Sequence, residues 1–511
     1  MVETSRPSRK SAGVLFVPPT DEEAGLDELA QQVPVDHLAR QIADAVNCLD
    51  LSEFLASYRG QGSLPYRPDI LLRVVLFETR RGVRSPAQWW RDATESVPVR
   101  WLLQGYMPSR SVWYAFRDRL APWLEGFNEQ VITQALDRGI TAAARGALDG
   151  TLIAANASRH RLLNEATLQK RSEQLEQVVA ADRQQQVPTA MPGWMAPTVS
   201  GRLEQQGRYH QAQERMRALQ ERNQHKRSCK RTPADKIVVS VSDPAAALGR
   251  DKEKVYRPLY NVQLVDDLDS PLILNYGVFA QPNDNGTLEP MLERQAQLTG
   301  RKPLTLLADA SYANGADLAV SKAAGVLLLA PYQQNDFTAD KAKKKELAQL
   351  PKKEFTWLAE EQTYRCPQGH RLDYVGSSQQ KRSSTETVRV QIYRCAPEHC
   401  CACPLSQQCA PNPKVGRTIS RGEHEDLIET LRERMQTAEA KALYRLRRQT
   451  VELVNADFKE HRKIRRFSGR GLKRAEAEIG LLVLVNNLLV CQEHTSAAAK
   501  EDGRCPQKLA A

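Results

Sequence analysis

No hydrophobic run in this 511-residue sequence is both long and uninterrupted. The longest, Ile479 to Cys491, is broken by Asn486 and Asn487, and its length falls short of a bilayer span, which speaks against a membrane protein. The N-terminal stretch MVETSRPSRKSAG lacks the basic-then-apolar pattern of a signal peptide. The expectation is therefore a cytoplasmic chain with reduced cysteines. Cysteine is sparse except in one region: of ten, six lie between Cys366 and Cys409. Acidic residues are scarce where basic ones crowd, since residues 441–474 hold 12 Lys and Arg against 3 Asp and Glu. That imbalance is too lopsided for salt-bridge pairing and favours a polyanion such as nucleic acid, through phosphate neutralisation and counterion release.

The remaining composition is that of a soluble globular protein, 41% hydrophobic and 26% charged with a net charge of +11. At this length two or three folding units are expected around a main one. Residues 159–231 are also basic, with 14 Lys and Arg against 7 Asp and Glu. There a solvated helix face explains the charge as well as a nucleic-acid contact does.

Residues 1–33 read as a disordered lead, with proline and charge but no sustained period. Residues 34–145 read as a helical N-terminal DNA-binding domain: Leu38, Ile42, Val46 and Leu49, then Ile70, Val74 and Phe77, recur at helical spacing. The segment MPSRSVWYAFRDRL opens on a Pro-Ser cap and carries Arg110 and Arg117 on its polar side. It reads either as the second helix of a helix-turn-helix or as an ordinary bundle helix.

After Gly146 the period shortens. Five strands are predicted, in ALDGTLIAA, KVYRPLYNVQLVDD, SPLILNYGVFAQP, PLTLLADASY and GVLLLAPY. The second and third are expected to pair through the turn DDLDS, and helices precede the fourth and fifth, giving an α/β mixed sheet with flanking helices over 146–495. Two insertions interrupt it. Residues 159–235 are Gln/Arg/Glu-rich and helical, broken by VPTAMPGWMAPTVSG, and are either an arm over DNA or a peripheral hairpin. Residues 338–420 pair a lysine run with the cysteines. The spacing of Cys366, Cys400, Cys403 and Cys409 suits a thiolate set for a structural Zn²⁺, with Cys395, Cys401, His370 and His399 as alternative ligands; free thiols in a reduced compartment are the rival reading, and disulfides the least favoured. Residues 496–511 are expected to be a disordered tail.

Three acidic residues occupy the settings that two-metal phosphodiester chemistry needs. Asp149 lies in the strand ALDGT, Asp309 ends LTLLA where the chain turns, and Glu452 sits in the arginine-rich stretch YRLRRQTVELVNADFK. For either aspartate alone a cap or turn role is the commoner explanation. Arg445, Arg448, Glu452, Asn455 and Lys459 recur every three or four residues, which predicts one stripe along a continuous helix. An intrahelical ion-pair ladder is the plainer reading of that stripe.

From about Arg67 to Leu489 the chain resembles the DDE transposases of bacterial insertion sequences, in the superfamily with a Tyr-Arg-Glu-Lys signature. The resemblance rests on MPSRSVWYAFRDRL, ALDGT, SDPAAAL, YNVQL, PNDNGTLEPML, LLADASY, the cysteine module and VELVNADFK followed by IRRFSGRGLKRAEAEIGLLVLVNNLL. It implies an RNase H-like fold in which Asp149, Asp309 and Glu452 bind two Mg²⁺ or Mn²⁺ ions. The partners it implies are the terminal inverted repeats of the element and target DNA, gripped by a dimer, with Tyr444, Arg448, Lys459, Arg465 and Arg466 against the DNA. Arg448, Glu452 and Lys459 keep the signature spacing; Tyr444 keeps it only with Arg447. The second-Asp motif reads ADASY where a glycine commonly precedes the tyrosine. Two rival readings are a non-catalytic DNA-binding protein and a general RNase H-like nuclease.

Overall fold

A computed structural model describes residues 16–17, 23–58, 64–186, 191–226, 228–332, 350–381, 387–410 and 412–501. Eight helices come first: α1 (Glu23–Gln32), α2 (Leu38–Val46), α3 (Ser52–Ala56), α4 (Pro68–Arg80), α5 (Pro86–Glu95), α6 (Val97–Leu103), α7 (Arg110–Leu120) and α8 (Leu124–Asp137). The apolar spacing seen in the sequence is their buried side: Ile42, Val46, Ile70, Val74 and Phe77 are all core residues. Part of the expected disordered lead is ordered. α1 belongs to it, and the Val17 backbone exchanges hydrogen bonds with Pro65 and with the Tyr106 hydroxyl.

The central sheet is built on β1 (Arg145–Ala154). β5 (Tyr256–Asp267) runs antiparallel along one edge of β1, while β7 (Thr305–Leu307) and then β8 (Leu327–Leu329) run parallel along the other. The far edge of β5 takes β6 (Ile273–Phe279), its hairpin partner, and the short β4 (Ala247–Arg250). The five expected strands are all present, and α11 (Leu288–Thr299) and α12 (Gly315–Ala323) precede β7 and β8 in the expected order.

Between β1 and β4, β2 (Leu162–Asn164) and β3 (Val238–Ser240) pair at the base of a helical hairpin, α9 (Glu165–Arg183) and α10 (Val199–Gln224). The hairpin has its own small core of Leu168, Leu175, Val179, Tyr209, Ala212 and Met216. After β8 the chain builds a sheet that the sequence reading missed. β9 (Thr356–Leu358), β10 (Thr363–Arg365), β11 (Arg371–Lys381), β12 (Thr387–Cys395) and β13 (Thr418–Gly422) pair antiparallel in the order 13-12-11-10-9. Strands such as RLDYVGSSQQK carry too few apolar residues to show a period of two. Most of the lysine run, at 341–349, lies outside the described residues.

Two short helices, α13 (Pro397–Cys401) and α14 (Ser406–Cys409), precede β13. α15 (Glu425–Gln436), α16 (Ala438–Arg445), α17 (Val451–Glu460) and α18 (Leu472–Glu501) end the described chain. α18 runs six residues into the stretch expected to be disordered. Within it 24 residues are long and apolar enough by composition to cross a membrane, contrary to the sequence estimate, but that window is mostly buried inside the protein. A helix apolar on all sides needs a core on all sides. One side of α18, with Leu484, Val485 and Leu488, joins the N-terminal helices and one face of the sheet; Ile479, Leu482 and Val483 join the other face. The expected boundary at residue 145 therefore does not separate two cores: Ile70, Val74 and Phe127 share one with Leu148, Val265 and Leu274.

Candidate active site

The pairing of Arg145–Ala147 with Thr305–Leu307 is parallel and in step. Two residues further along each chain come Asp149, still within β1, and Asp309, just past the end of β7, near enough to raise the Asp149 carboxyl. β7 ends at Leu307, so Asp309 falls where the backbone leaves the ladder and caps a 3₁₀ turn at 310–312. Its Oδ1 accepts from the Ser311 amide at 2.8 Å and from the Ser311 hydroxyl.

Glu452 reaches the site from α17. Val451, Asn455 and Phe458, spaced by four and three, are the buried residues of this helix and lay it on the sheet. The long stripe expected from Arg445 to Lys459 is not continuous. A 3₁₀ turn spans 446–449, and Thr450 has a non-helical backbone (φ −119°, ψ −101°) before α17 begins. The break resets the helical phase, so Arg445 and Arg448 are exposed and Arg447 is buried.

Arg447 sits between two of the three acids. Its Nη2 donates to Asp149 Oδ1 at 2.6 Å and its Nη1 to Glu452 Oε1 at 3.1 Å. Asn455 Nδ2 donates to the other Asp149 oxygen at 2.8 Å. Sequence reasoning missed Arg447; the one available signal was that Tyr444 keeps its signature interval with Arg447 rather than Arg448.

Burial pushes the Asp149 carboxyl above its ordinary value and nearby Asp309 adds to this, against the pull of Arg447, Lys252 and the Asn455 hydrogen bond. Tyr444 is raised, first by burial, in a field set by Arg447, Asp309, Glu452 and Asp149. One tyrosine thus senses all three acids. Lys459 is lowered by burial and by Lys252, with Asp149 opposing. Lys252, in the turn between β4 and β5, is a cation that no sequence period marks.

Beneath Asp149 lies a second polar layer. Asp284 accepts from Asn261 at 2.9 Å and Gln263 at 2.7 Å, and Ser311 Oγ lies 3.4 Å from its other oxygen. Tyr312 donates to Gln263 Oε1 at 2.8 Å. The 3₁₀ turn that presents Asp309 is thereby tied to β5, the neighbour of β1.

The remaining cations are dispersed. Arg465 pairs with Glu460 at 2.6 Å, and Arg466 reaches Asn156 Oδ1 at 3.4 Å. Arg110 and Arg117 lie over Tyr114 on α7, whose Trp113, Phe116 and Leu120 are buried.

Cys395, Cys400 and Cys409 lie in one small core with Cys366 packed against it, and Cys403 lies close enough to act on Cys409. Cys395, whose thiol burial pushes up to about 12, senses Cys400, Cys366 and Cys409, and Cys409 senses Cys400, Cys403 and Cys366. Backbone amides point at two of the sulfurs, Arg417 N to Cys400 Sγ at 3.3 Å and Leu405 N to Cys403 Sγ at 3.4 Å. Cys401 is exposed, and His370 stacks on His399 at 4.2 Å. As they stand, no three His, Cys, Asp or Glu side chains among the described residues are arranged to hold a metal ion, here or around Asp149.

Residues 365–491 match a family described as a transposase DDE domain, and residues 27–119 match one described as a transposase domain. No curated protein matches the chain. The two matches define a nucleic-acid-processing protein of the transposase class. Together the matches, which cover less than half of the chain, support a DDE transposase of an insertion sequence, a family that implies divalent-metal use and DNA as partner. Of the three acids only Glu452 lies inside a matched stretch.

Proposed function

We propose that Asp149, Asp309 and Glu452 are the catalytic carboxylates of an RNase H-like transposase that cleaves DNA at the ends of its element and joins those ends to target DNA. The observation that carries this reading is the neighbourhood of the three: one guanidinium, Arg447, links Asp149 to Glu452, and Asp309, just past the end of β7, lies near enough to raise the Asp149 carboxyl. The strand order, with three antiparallel strands followed by two parallel to the first, supports the fold assignment.

Carboxylate oxygens are the donors that Mg²⁺ or Mn²⁺ prefers. The donor chemistry fits, and Arg447 already places positive charge between two of the acids. Held by Asp149, Asp309 and Glu452, two such ions would supply Lewis-acid activation of a water or 3′-hydroxyl and stabilisation of the leaving 3′-oxygen. This chain's residues do the rest. Asp149, Asp309 and Glu452 hold the charge in place, while Lys459 and Lys252 flank Asp149 at the level where a phosphate would lie. Arg448, Arg465, Arg466 and, on α7, Arg110 are exposed, with Arg117 half-buried beside Asp118, and are assigned to backbone contacts that set the register of the DNA without reading its sequence. Tyr444 borders the same site. Two ends cut together call for a dimer on DNA. The thiols of Cys366, Cys400, Cys403 and Cys409, with Cys395 beside them, suit a structural Zn²⁺. We place the protein in the cytoplasm, on the nucleoid when DNA-bound.

The test is incubation of the full chain with its element's terminal repeats, Mg²⁺ and a target plasmid. Joined products are expected from the wild type. Asp149→Asn, Asp309→Asn and Glu452→Gln should bind the ends without cutting them. Simple nicks would favour a general nuclease, binding alone a non-catalytic DNA-binding protein, and full cleavage by any of the three variants would sink the site assignment.

A further inference from the structure

We infer that Arg447 is an internal counter-cation that holds the carboxylate site closed and that a divalent metal must displace it. The inference rests on the metal-site reading of Asp149 and Glu452. In the structure one planar guanidinium serves both carboxylates through separate nitrogens, Nη2 to Asp149 at 2.6 Å and Nη1 to Glu452 at 3.1 Å. Asn455 takes the remaining Asp149 oxygen. Each Asp149 oxygen is therefore committed, and Glu452 is turned toward the arginine. With Arg447 in place, no three His, Cys, Asp or Glu side chains among the described residues are grouped to hold a metal ion.

The arginine is buried, with its Nε unpartnered. Its charge is balanced by the two acids rather than by solvent, and an uncompensated buried charge is costly. The same acids that would hold a metal thus keep the metal-free site neutralised. The local backbone supplies the means of release. Arg447 belongs to the 3₁₀ turn between α16 and α17, and Thr450 next to α17 is non-helical. A short segment bounded by such a break can rotate its side chain out without unwinding either helix.

Competition of this kind scales the apparent metal affinity by the fraction of molecules in the open, metal-competent state. Removing the guanidinium should then tighten metal binding while destabilising the metal-free protein. A merely structural ion pair predicts the second effect without the first.

The experiment titrates Mn²⁺ alone, without DNA, into the full-length protein and reads free Mn²⁺ by electron paramagnetic resonance, with thermal unfolding in parallel. Arg447→Gln keeps the length and removes the charge. The expected result is about tenfold tighter Mn²⁺ binding than wild type, about 1.4 kcal/mol, with a lower Tm without metal and a wider gap between metal-free and metal-bound Tm. Arg447→Lys, which keeps the charge but not the fork that spans two carboxylates, should fall between the two and serves if the glutamine variant does not fold. Asp149→Asn combined with Arg447→Gln should lose the gain. Equal or weaker binding by the Arg447 variants, with the wild type still binding through Asp149, overturns the lock but leaves the metal site standing. Absence of binding in every protein overturns both.

Discussion

Arg84, in the turn after α4, and Glu478, in α18, meet at 3.3 Å although nearly four hundred residues separate them, and each side chain is only about a tenth exposed. Between them they clamp the segment that follows the Glu452 helix. Arg84 donates to the carbonyls of Arg462, Lys463 and Arg466 at 2.6, 3.2 and 3.1 Å. Glu478 accepts from the Ser468 amide and hydroxyl and from the Gly469 amide. The same segment bridges to the end of β1 through Ala154 and Arg466. Removing one partner strands the other charge in a buried setting. Arg84→Ala is expected to lower stability by about 3 kcal/mol, read as a shift of the urea midpoint. Adding Glu478→Ala should cost less than the two single losses together, because the pair acts as a unit.

Asp266 supplies a pH dependence. It is fully buried in β5, both carboxylate oxygens lack a hydrogen-bond partner, and burial pushes its pKa well up, with Asp149 and Asp267 adding to the rise. A folded pKa raised above the unfolded one means that the native state holds the proton more tightly. Stability should be greatest below the ordinary Asp value and fall as pH rises from there toward the folded value. Asp266→Leu removes the titration, so the variant should gain on the wild type in urea unfolding as pH rises above the ordinary Asp value. A constant difference as pH rises would refute the assignment.

Gly150 has no side chain because Asp284 and Gln263 fill the space. A β-carbon there would collide with Asp284 Oδ1 and Gln263 Nε2. Gly150→Ala should therefore disturb the layer beneath Asp149 and the Ser311 turn that presents Asp309, at about 1–3 kcal/mol by the usual cost of overpacking. Thermal unfolding measures the loss, and cleavage should fall further than end binding.

The thiol core makes a compositional prediction. Purified without chelator, the protein should carry a single Zn²⁺ per chain, released on treatment with a thiol-reactive mercurial and counted with a colorimetric chelator. Cys400→Ser should lose it and expose 350–422 to protease, since structural zinc contributes directly to folding. The exposed Cys401→Ser should keep it. Full zinc content in the Cys400 variant would rule out the proposed ligand set.

Much of this architecture was legible in the sequence wherever one face of an element is apolar and the other is not. Leu38, Ile42 and Val46 marked a helix, and LTLLADASY marked a strand ending at an acid. Patterns failed where that contrast vanishes. The strands of the cysteine sheet are largely polar on both faces, and α18 is apolar all round, so neither its partners nor its role in a shared core was readable.

By itself, then, the sequence singled out three acids, the order of strands around Asp149 and Asp309, and the crowding of cations around Glu452. Only the tertiary structure decided which arginine enters the site. Helical spacing chose Arg448, on the assumption of an unbroken helix. The non-helical backbone at Thr450 shifts the phase and turns Arg447 inward to Asp149, a partner 298 residues away. Periodicity within one segment reports only which residues share a face. Which face is buried, and against which distant carboxylate, is settled when the sheet and the last helices pack.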